Sequence, residues 1–599
     1  MRRSNYDQHP HIDVPGSAGQ VWKGWEAVGA ELRRALAAAD AASDRDRVVL
    51  VVECSTGLLP DVHEHLRRLL SPDVWIDASE AFRPAPEIER VAAPWLGGDD
   101  PLFGFLANPP IDAYLDPDRL AALRGRIAAA RGAVVVFGTG ALRCADADIL
   151  VYADMPRWEG QLRQREGRVP NLGVENAGEK ASLQYKRGYF VDWRMVDALK
   201  RESLGRWDYL LDSTIEGDPR LVSGRAVRHG LEHAARRPFR LVPFFDPAPW
   251  GGQWMKEVCG LDPAVPNYGW CFDCVPEENS LLFDFGGVRV EMASLNLVFS
   301  HPRALLGADV FGRFGAEFPI RFDFLDTMGG GHLSLQVHPL TGYIRDQFGV
   351  PYTQDESYYL MDAGPDATVF LGLRDDVDPQ RMLADLEEAQ RGGLSFPAER
   401  HVARWPARSH DHFLIPAGTV HCSGVNAMVL EVSATPYIFT FKLWDWDRPG
   451  LDGLPRPINL AHGAANIQWD RRASWVSQEL INRMTDVARG HGWREERTGL
   501  HDLEFIETRR HWFTRSAPHD TRGTVHVLNL VQGDEAVVES PDRAFEPFVV
   551  HYAETFVVPA SVGRYTVRPH GEAEGTECAT LQASVRAKYA DADVVRTRS

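Results

Sequence analysis

In the stretch GGHLSLQVHP at 330–339, Ser334, Gln336 and His338 recur at every second position. Alternate side chains of a β-strand project to one face, so a hydroxyl, an amide and an imidazole would share one surface. If that surface is interior, the three polar groups need a metal, a wet cavity or a ligand to offset their desolvation. If it faces solvent, Leu333, Leu335 and Val337 form the buried side of an ordinary two-faced strand, and periodicity alone leaves both readings open. A second imidazole, His421, follows the turn Pro416-Ala417-Gly418 in HFLIPAGTVHCSGV at 412–425, a corner that would hold it rigidly. Together with a carboxylate such as Glu356 in QDESYYLMDAG, two imidazoles make a nitrogen-rich divalent metal site. Cys271 and Cys274 have CxxC spacing, but no second pair stands near to complete a zinc knuckle, so they read as structural thiols.

The elements that would position these residues are short, closely spaced strands running from about Asn279 to Trp446, as expected of an antiparallel barrel or sandwich. VRVEMASLNLVF at 288–299 is read as one of these strands. DPQRMLADLEEAQRG at 378–392 is expected to be a helical insertion. SWVSQELINRMTDVARG at 474–490 is expected to be a second helix that separates a further strand group beginning near His511. Before residue 236 the pattern differs. Apolar runs such as RVVLVVE (47–53), GAVVVFGTGAL (132–142) and ADILVYADMPR (147–157) alternate with amphipathic stretches, the signature of a parallel α/β domain. The proline- and glycine-rich segment 236–254 separates the two patterns.

The whole chain has 599 residues, 44% of them hydrophobic, which suits several ordinary globular domains. Lys and Arg number 65 against 84 Asp and Glu, a net charge of -19 that disfavours nucleic acid as a partner. No run of about 18 uncharged apolar residues occurs, so no membrane partner is expected either. The seven cysteines are odd in number and scattered, which fits a reducing cytoplasm better than a disulfide framework.

Four motifs in order, GGHLSLQVHP, QDESYYLMDAG, LIPAGTVH and LEVSATPYIFTFKLWDWDR, resemble the successive signatures of class I mannose-6-phosphate isomerases, and the similarity begins at PWGG (249–252). The resemblance covers roughly residues 245–595. It implies a pair of cupin barrels, jelly rolls with helical insertions, holding one zinc ion per chain. It places the zinc ligands on Gln336, His338, Glu356 and His421, and the phosphate-associated serine on Ser334. It places a proton-transferring glutamate on Glu431. The substrate implied is a small sugar phosphate, mannose 6-phosphate interconverting with fructose 6-phosphate through an enediol.

The chain also departs from the family pattern. Lys442 stands where the family has an arginine, with Arg448 six residues later. Both are expected to hold the phosphate, Lys442 with a role in catalysis as well, although lysine offers a point charge in place of a bidentate fork. Leu340-Thr341 replaces an acidic pair, and Gln354 replaces a lysine. These departures keep two alternatives in view: a sugar-phosphate-binding cupin without turnover, and a metal-dependent cupin enzyme acting on another sugar or, with iron, on dioxygen.

In the first third, RVVLVVECSTGLLP lacks the GxxxxGK[ST] cradle of a phosphate-binding loop. VVVFGTGALRCADADILVYADMPR and KRGYFVDWRMVDALKRE nonetheless resemble the later strands and lid-side helix of uridine-kinase-like proteins. The resemblance implies a degenerate kinase-like domain without an active site; the plainer reading is an α/β scaffold that packs on the isomerase or mediates a homo-oligomer. The expected division is 1–235 for this α/β domain, 236–470 for the catalytic cupin, 471–510 for a helical connection and 511–599 for the second barrel.

Overall fold

The structure is a computed structural model and describes residues 4–42, 45–435, 437–499, 501 and 503–586. The end of the expected second barrel, 587–599, lies outside the described residues.

The first part is built on a seven-stranded sheet. Five strands run parallel, in the order Val74–Asp77, Gly132–Gly138, Arg47–Cys54, Ile149–Asp154, Tyr209–Asp212. Arg220–Ser223 and Val21–Lys23 continue it antiparallel. Alternation along the central strand explains the layers. Val48, Leu50 and Val52 pack with Val28, Leu32, Val62 and Leu66 of the helices Trp25–Ala41 and Pro60–Leu70. Val49 and Val51 pack on the other face with Ile88, Leu123 and Ile127. Both faces being covered, the strand reads as a continuous β-branched run. Helix Pro117–Ala129 starts on an Asp116 cap that accepts from the backbone N–H groups of Asp118 and Arg119, with Pro117 in its first turn.

Two antiparallel sheets face each other in the next part. One has six strands, in the order His412–Ile415, Glu356–Ala363, Ala427–Ser433, Arg321–Asp326, Trp270–Cys274, Phe244–Asp246. The other has five: Val402–Pro406, Thr368–Leu373, His421–Ser423, Leu335–Val337, Phe441–Trp444. The insertion 378–392 is a helix, Pro379–Gln390, capped by Asp378. A second pair of antiparallel sheets, of six and four strands, occupies the last part.

Two expectations are corrected. The helix expected over 474–490 covers only Ala473–Glu479. Asn482 takes a left-handed conformation that ends it, and Thr485–Gly490 is a strand paired with Trp493–Gly499 across a turn at Gly492. The second strand group therefore begins at Thr485 instead of near His511, and 471–510 is not a helical connection. Likewise VRVEMASLNLVF splits into a strand, Arg289–Ala293, and a helix, Leu295–Ser300, whose Leu295 and Val298 are buried at helical spacing.

Hydrogen bonding also crosses the expected division at 235. Strand His11–Asp13 lies parallel to Ser280–Asp284, itself paired with Arg289–Ala293. Among the described residues no helix is long and apolar enough to cross a membrane.

Candidate metal centre and reaction cavity

The candidate centre lies between the two facing sheets of the middle part. Gln336, on Leu335–Val337, pairs in register with His421 on His421–Ser423. Glu356 begins its strand on the opposite sheet. Its Oε2 lies 3.1 Å from His338 Nε2 and its Oε1 lies 2.8 Å from His421 Nε2. Gln336 Nε2 lies 3.2 Å from His421 Nε2, and a half-turn of that amide would present its oxygen instead.

The remaining ring nitrogens explain why this arrangement suits a cation. Nδ1 of His338 donates to the Phe439 carbonyl at 2.7 Å, and Nδ1 of His421 donates to the Thr419 carbonyl at 2.8 Å. These bonds fix the tautomer and turn both Nε2 lone pairs toward Glu356, the outer support that metal-ligating histidines receive. His338 Nε2 and Glu356 Oε1 are buried without a properly formed hydrogen bond. One donor atom from each of His338, Glu356 and His421 falls within 4.8 Å of the others. Two imidazoles and a carboxylate around such a point match the donor set of a divalent transition metal. Burial alone would push the Glu356 carboxyl up, but His338 and His421 overcome it and hold it well below the usual carboxylate range. Burial likewise opposes the charge on His338, and Glu356 reverses that effect and raises it.

Beside this centre lies a cavity of about 400 Å³ that touches Gln336, Glu431, Asp323, Lys442 and Arg456. His338, Glu356 and His421 do not line it, whereas Gln336 and Glu431 do. Glu431 is cross-strand from Asp323 and from Tyr358. Burial, followed by the charges of Asp323 and Glu356, raises its carboxyl well above the usual range. Burial lifts Asp323 to about 7, against the pull of Arg321. The Gln354 amide bridges the centre and the acid, its Nε2 lying 3.2 Å from Glu356 and 3.4 Å from Glu431.

On the neighbouring strand, Lys442 lies across from Gln336. Burial and the neighbouring Arg456 and Arg448 bring its ammonium down to about 7. Ser334 donates to Asp445 at 2.8 Å and accepts from Arg456 at 3.1 Å. Arg448 is placed differently from the sequence expectation. It binds Asp445 at 2.7 Å and the His332 carbonyl and does not line the cavity, whereas Arg456 does.

Arg456, Arg321 and Asp323 are thus cavity residues that sequence reasoning missed. For the last two a signal exists: Arg321, Asp323 and Leu325 recur at alternate positions in RFDFLD, the same pattern that singled out Ser334, Gln336 and His338. Cys271 and Cys274 are buried free thiols, like the other five cysteines.

Residues 24–236 match a family model described as a domain of unknown function, DUF8485. The chain is 25% identical over 224 residues to mannose-6-phosphate isomerase ManA of Bacillus subtilis (strain 168), covering 37% of this chain and 65% of that protein. The mannose-6-phosphate isomerase of Streptococcus mutans is 24% identical over 215 residues, covering 35% of this chain and 61% of that protein. The chain thus spans a little under two thirds of the length of these relatives. Over that stretch it is homologous to mannose-6-phosphate isomerases. Among solved structures, the mannose 6-phosphate isomerase from Bacillus subtilis is similar at a TM-score of 0.47 and 19% identity, covering 58% of this chain and 99% of that one. A zinc-bound mannose 6-phosphate isomerase is similar at a TM-score of 0.44 and 15% identity, covering 59% of this chain and all of that one.

Proposed function

We propose that this protein is a zinc-dependent aldose-ketose isomerase of phosphorylated sugars, with mannose 6-phosphate and fructose 6-phosphate as its substrate pair, acting in the cytoplasm. The observation that carries this reading is the buried set of His338, Glu356 and His421, with both Nδ1 atoms tied to backbone carbonyls.

His338, Glu356 and His421 would hold one zinc ion per chain, with Gln336 as a fourth ligand in a cupin barrel. A zinc ion there would act as a Lewis acid toward negative charge developing on the sugar oxygens. Glu431, whose carboxyl burial raises well above the usual range, moves the proton between C2 and C1 on one face of the enediol. Lys442 and Arg456 attract the phosphate, and Ser334, whose hydroxyl is donated to Asp445, would turn from that carboxylate to donate to it.

A second reading rests on Gln354. A neutral amide bridging Glu356 and Glu431, where the family has a lysine, is compatible with a protein that binds metal and sugar phosphate without turnover. For the first third we propose a kinase-like ancestry without phosphoryl transfer. In support, the crevice beside Ser55-Thr56-Gly57 is lined by Lys200, already paired with Asp154 at 2.8 Å, and by Arg157 and Asp197, paired with each other at 2.9 Å.

A coupled assay of mannose 6-phosphate to fructose 6-phosphate, with chelator and with zinc restored, tests the main reading. Turnover that is lost on chelation and regained with zinc is expected. Folded, zinc-loaded protein without turnover would favour the second reading.

A further inference from the structure

The cavity beside the candidate centre is not closed by the barrel alone. The same space that touches Gln336, Glu431 and Lys442 also touches Trp158, Gln164 and Ser182 of the α/β domain. These lie on the helices Arg157–Arg165 and Ala181–Arg187. We propose that the α/β domain forms part of the substrate site, with Gln164 as a specificity-determining residue that reads the hydroxyl groups of a phosphorylated sugar. The identity of the ligand rests on the isomerase reading above.

Three contacts anchor the helix Arg157–Arg165 against the barrel edge. Trp158 stacks on Phe244 with ring centroids 5.0 Å apart and planes 20° apart. Gln161 donates to Glu278, which also accepts from the Tyr185 hydroxyl at 2.8 Å. Arg165 holds both carboxylate oxygens of Asp246, at 3.0 and 2.9 Å. Phe244 and Asp246 belong to the edge strand of the six-stranded sheet that carries Asp323, Glu356 and Glu431. The helix is thereby fixed to the sheet that carries the chemistry.

Within that fixed frame Gln164 is the exception. Trp158, Gln161 and Arg165 are committed to the barrel edge, whereas Gln164, only 8% exposed, lines the cavity. A side-chain amide on a cavity wall presents a donor and an acceptor to whatever occupies the cavity. Its open side is the cavity. An amide offers both hydrogen-bond roles, which suits a sugar hydroxyl. Being neutral, it does not compete with Lys442 and Arg456 for the phosphate. Phosphate toward Lys442 and hydroxyls toward Gln164 therefore give the ligand a single orientation.

The test uses the full-length protein loaded with zinc. All seven native cysteines are buried, so the thiol introduced by Ser182→Cys, at an exposed position lining the cavity, is the one that a bulky maleimide reaches. Saturating mannose 6-phosphate or fructose 6-phosphate is expected to slow its labelling at least about tenfold, and adding Gln164→Ala to weaken that protection by a similar factor. In the isomerase assay Gln164→Ala should raise KM about tenfold with a smaller effect on kcat, at unchanged zinc content and Tm, and Gln164→Asn should restore part of the loss. Turnover with no protection of the thiol and an unchanged KM in Gln164→Ala would overturn this inference and leave the isomerase reading standing. Protection that depends on Gln164 without turnover would do the reverse. Neither protection nor turnover would remove both.

Discussion

At the scale of single residues, the candidate centre depends on where two ring nitrogens are committed. Because Nδ1 of His338 and of His421 is already bound to a carbonyl, only Nε2 remains for a metal. His421→Ala should therefore abolish bound zinc and activity together while the α/β domain stays folded; elemental analysis and circular dichroism check both halves. Stoichiometric zinc in that variant would refute the ligand set. Lys442 yields a pH prediction. Burial lowers its ammonium from an ordinary value near 10.5 to about 7, so the folded protein carries the cation below about pH 7 and loses it as pH rises. KM for a sugar phosphate should accordingly climb between pH 6 and 8, and Lys442→Arg should flatten that rise. Stability should change with the opposite sign. Between about 7 and 10.5 the unfolded chain binds more protons at this position, so this residue's contribution to folding improves with pH. The donors were legible in the sequence because ordered motifs carry them. The arginine that lines the cavity was not. Left-handed conformations at Trp446 and Asp447 fold Arg448 back onto Asp445, and the Pro449–Pro455 bridge returns the chain so that Arg456 reaches the cavity. Nothing in residue type announces a left-handed tryptophan.

At the scale of elements, the PWGG segment shows how closely backbone must approach backbone around the barrel. A Cβ at Gly252 would lie 2.1 Å from Asp326 Oδ1 and 2.6 Å from the Met328 nitrogen. Asp326 cannot retreat, since it accepts from the backbone of Met255 and of Met328, each at 2.9 Å. Gly252→Ala should cost about 1–3 kcal/mol and lower Tm by several degrees in calorimetry. An unchanged Tm would mean that the Asp326 turn is free to shift. The parallel core of the first sheet and the helix Pro379–Gln390 were readable from periodicity, because a long buried β-branched run and a capped amphipathic repeat are local patterns. The segment 480–490 was misread because its ARG tail continues a helical composition. What decides the matter is the Gly492 turn, which lets a neighbouring strand capture it.

At the scale of the whole molecule, the α/β domain and the barrel share a core. Phe103 of the first part is 2% exposed and lies 5.1 Å from Phe439, 5.3 Å from Phe441 and 5.4 Å from Phe348 by ring centroids. Phe103→Ala should cost about 3–5 kcal/mol. Because the loss falls on the junction, it should separate one thermal transition into two and open the loop around residues 96–106 to protease. A single unaltered transition would show that the junction does not couple the two parts. Contacts of this kind join residues more than two hundred positions apart, which is why sequence reasoning placed a boundary near 235 and saw nothing crossing it.

The strand His11–Asp13 cannot find its partner until Ser280–Asp284 exists. On a ribosome adding about 5–20 residues per second, that partner emerges tens of seconds after the strand itself. The parallel sheet of the first part is complete in sequence by Ser223, well before then, so it can form while its leading segment waits unpaired. Birth order therefore differs from architectural order: residues 11–13 leave the exit tunnel before the strands of the first sheet and are locked in after them, and a chaperone that shields them during translation would act on a segment no equilibrium measurement would single out.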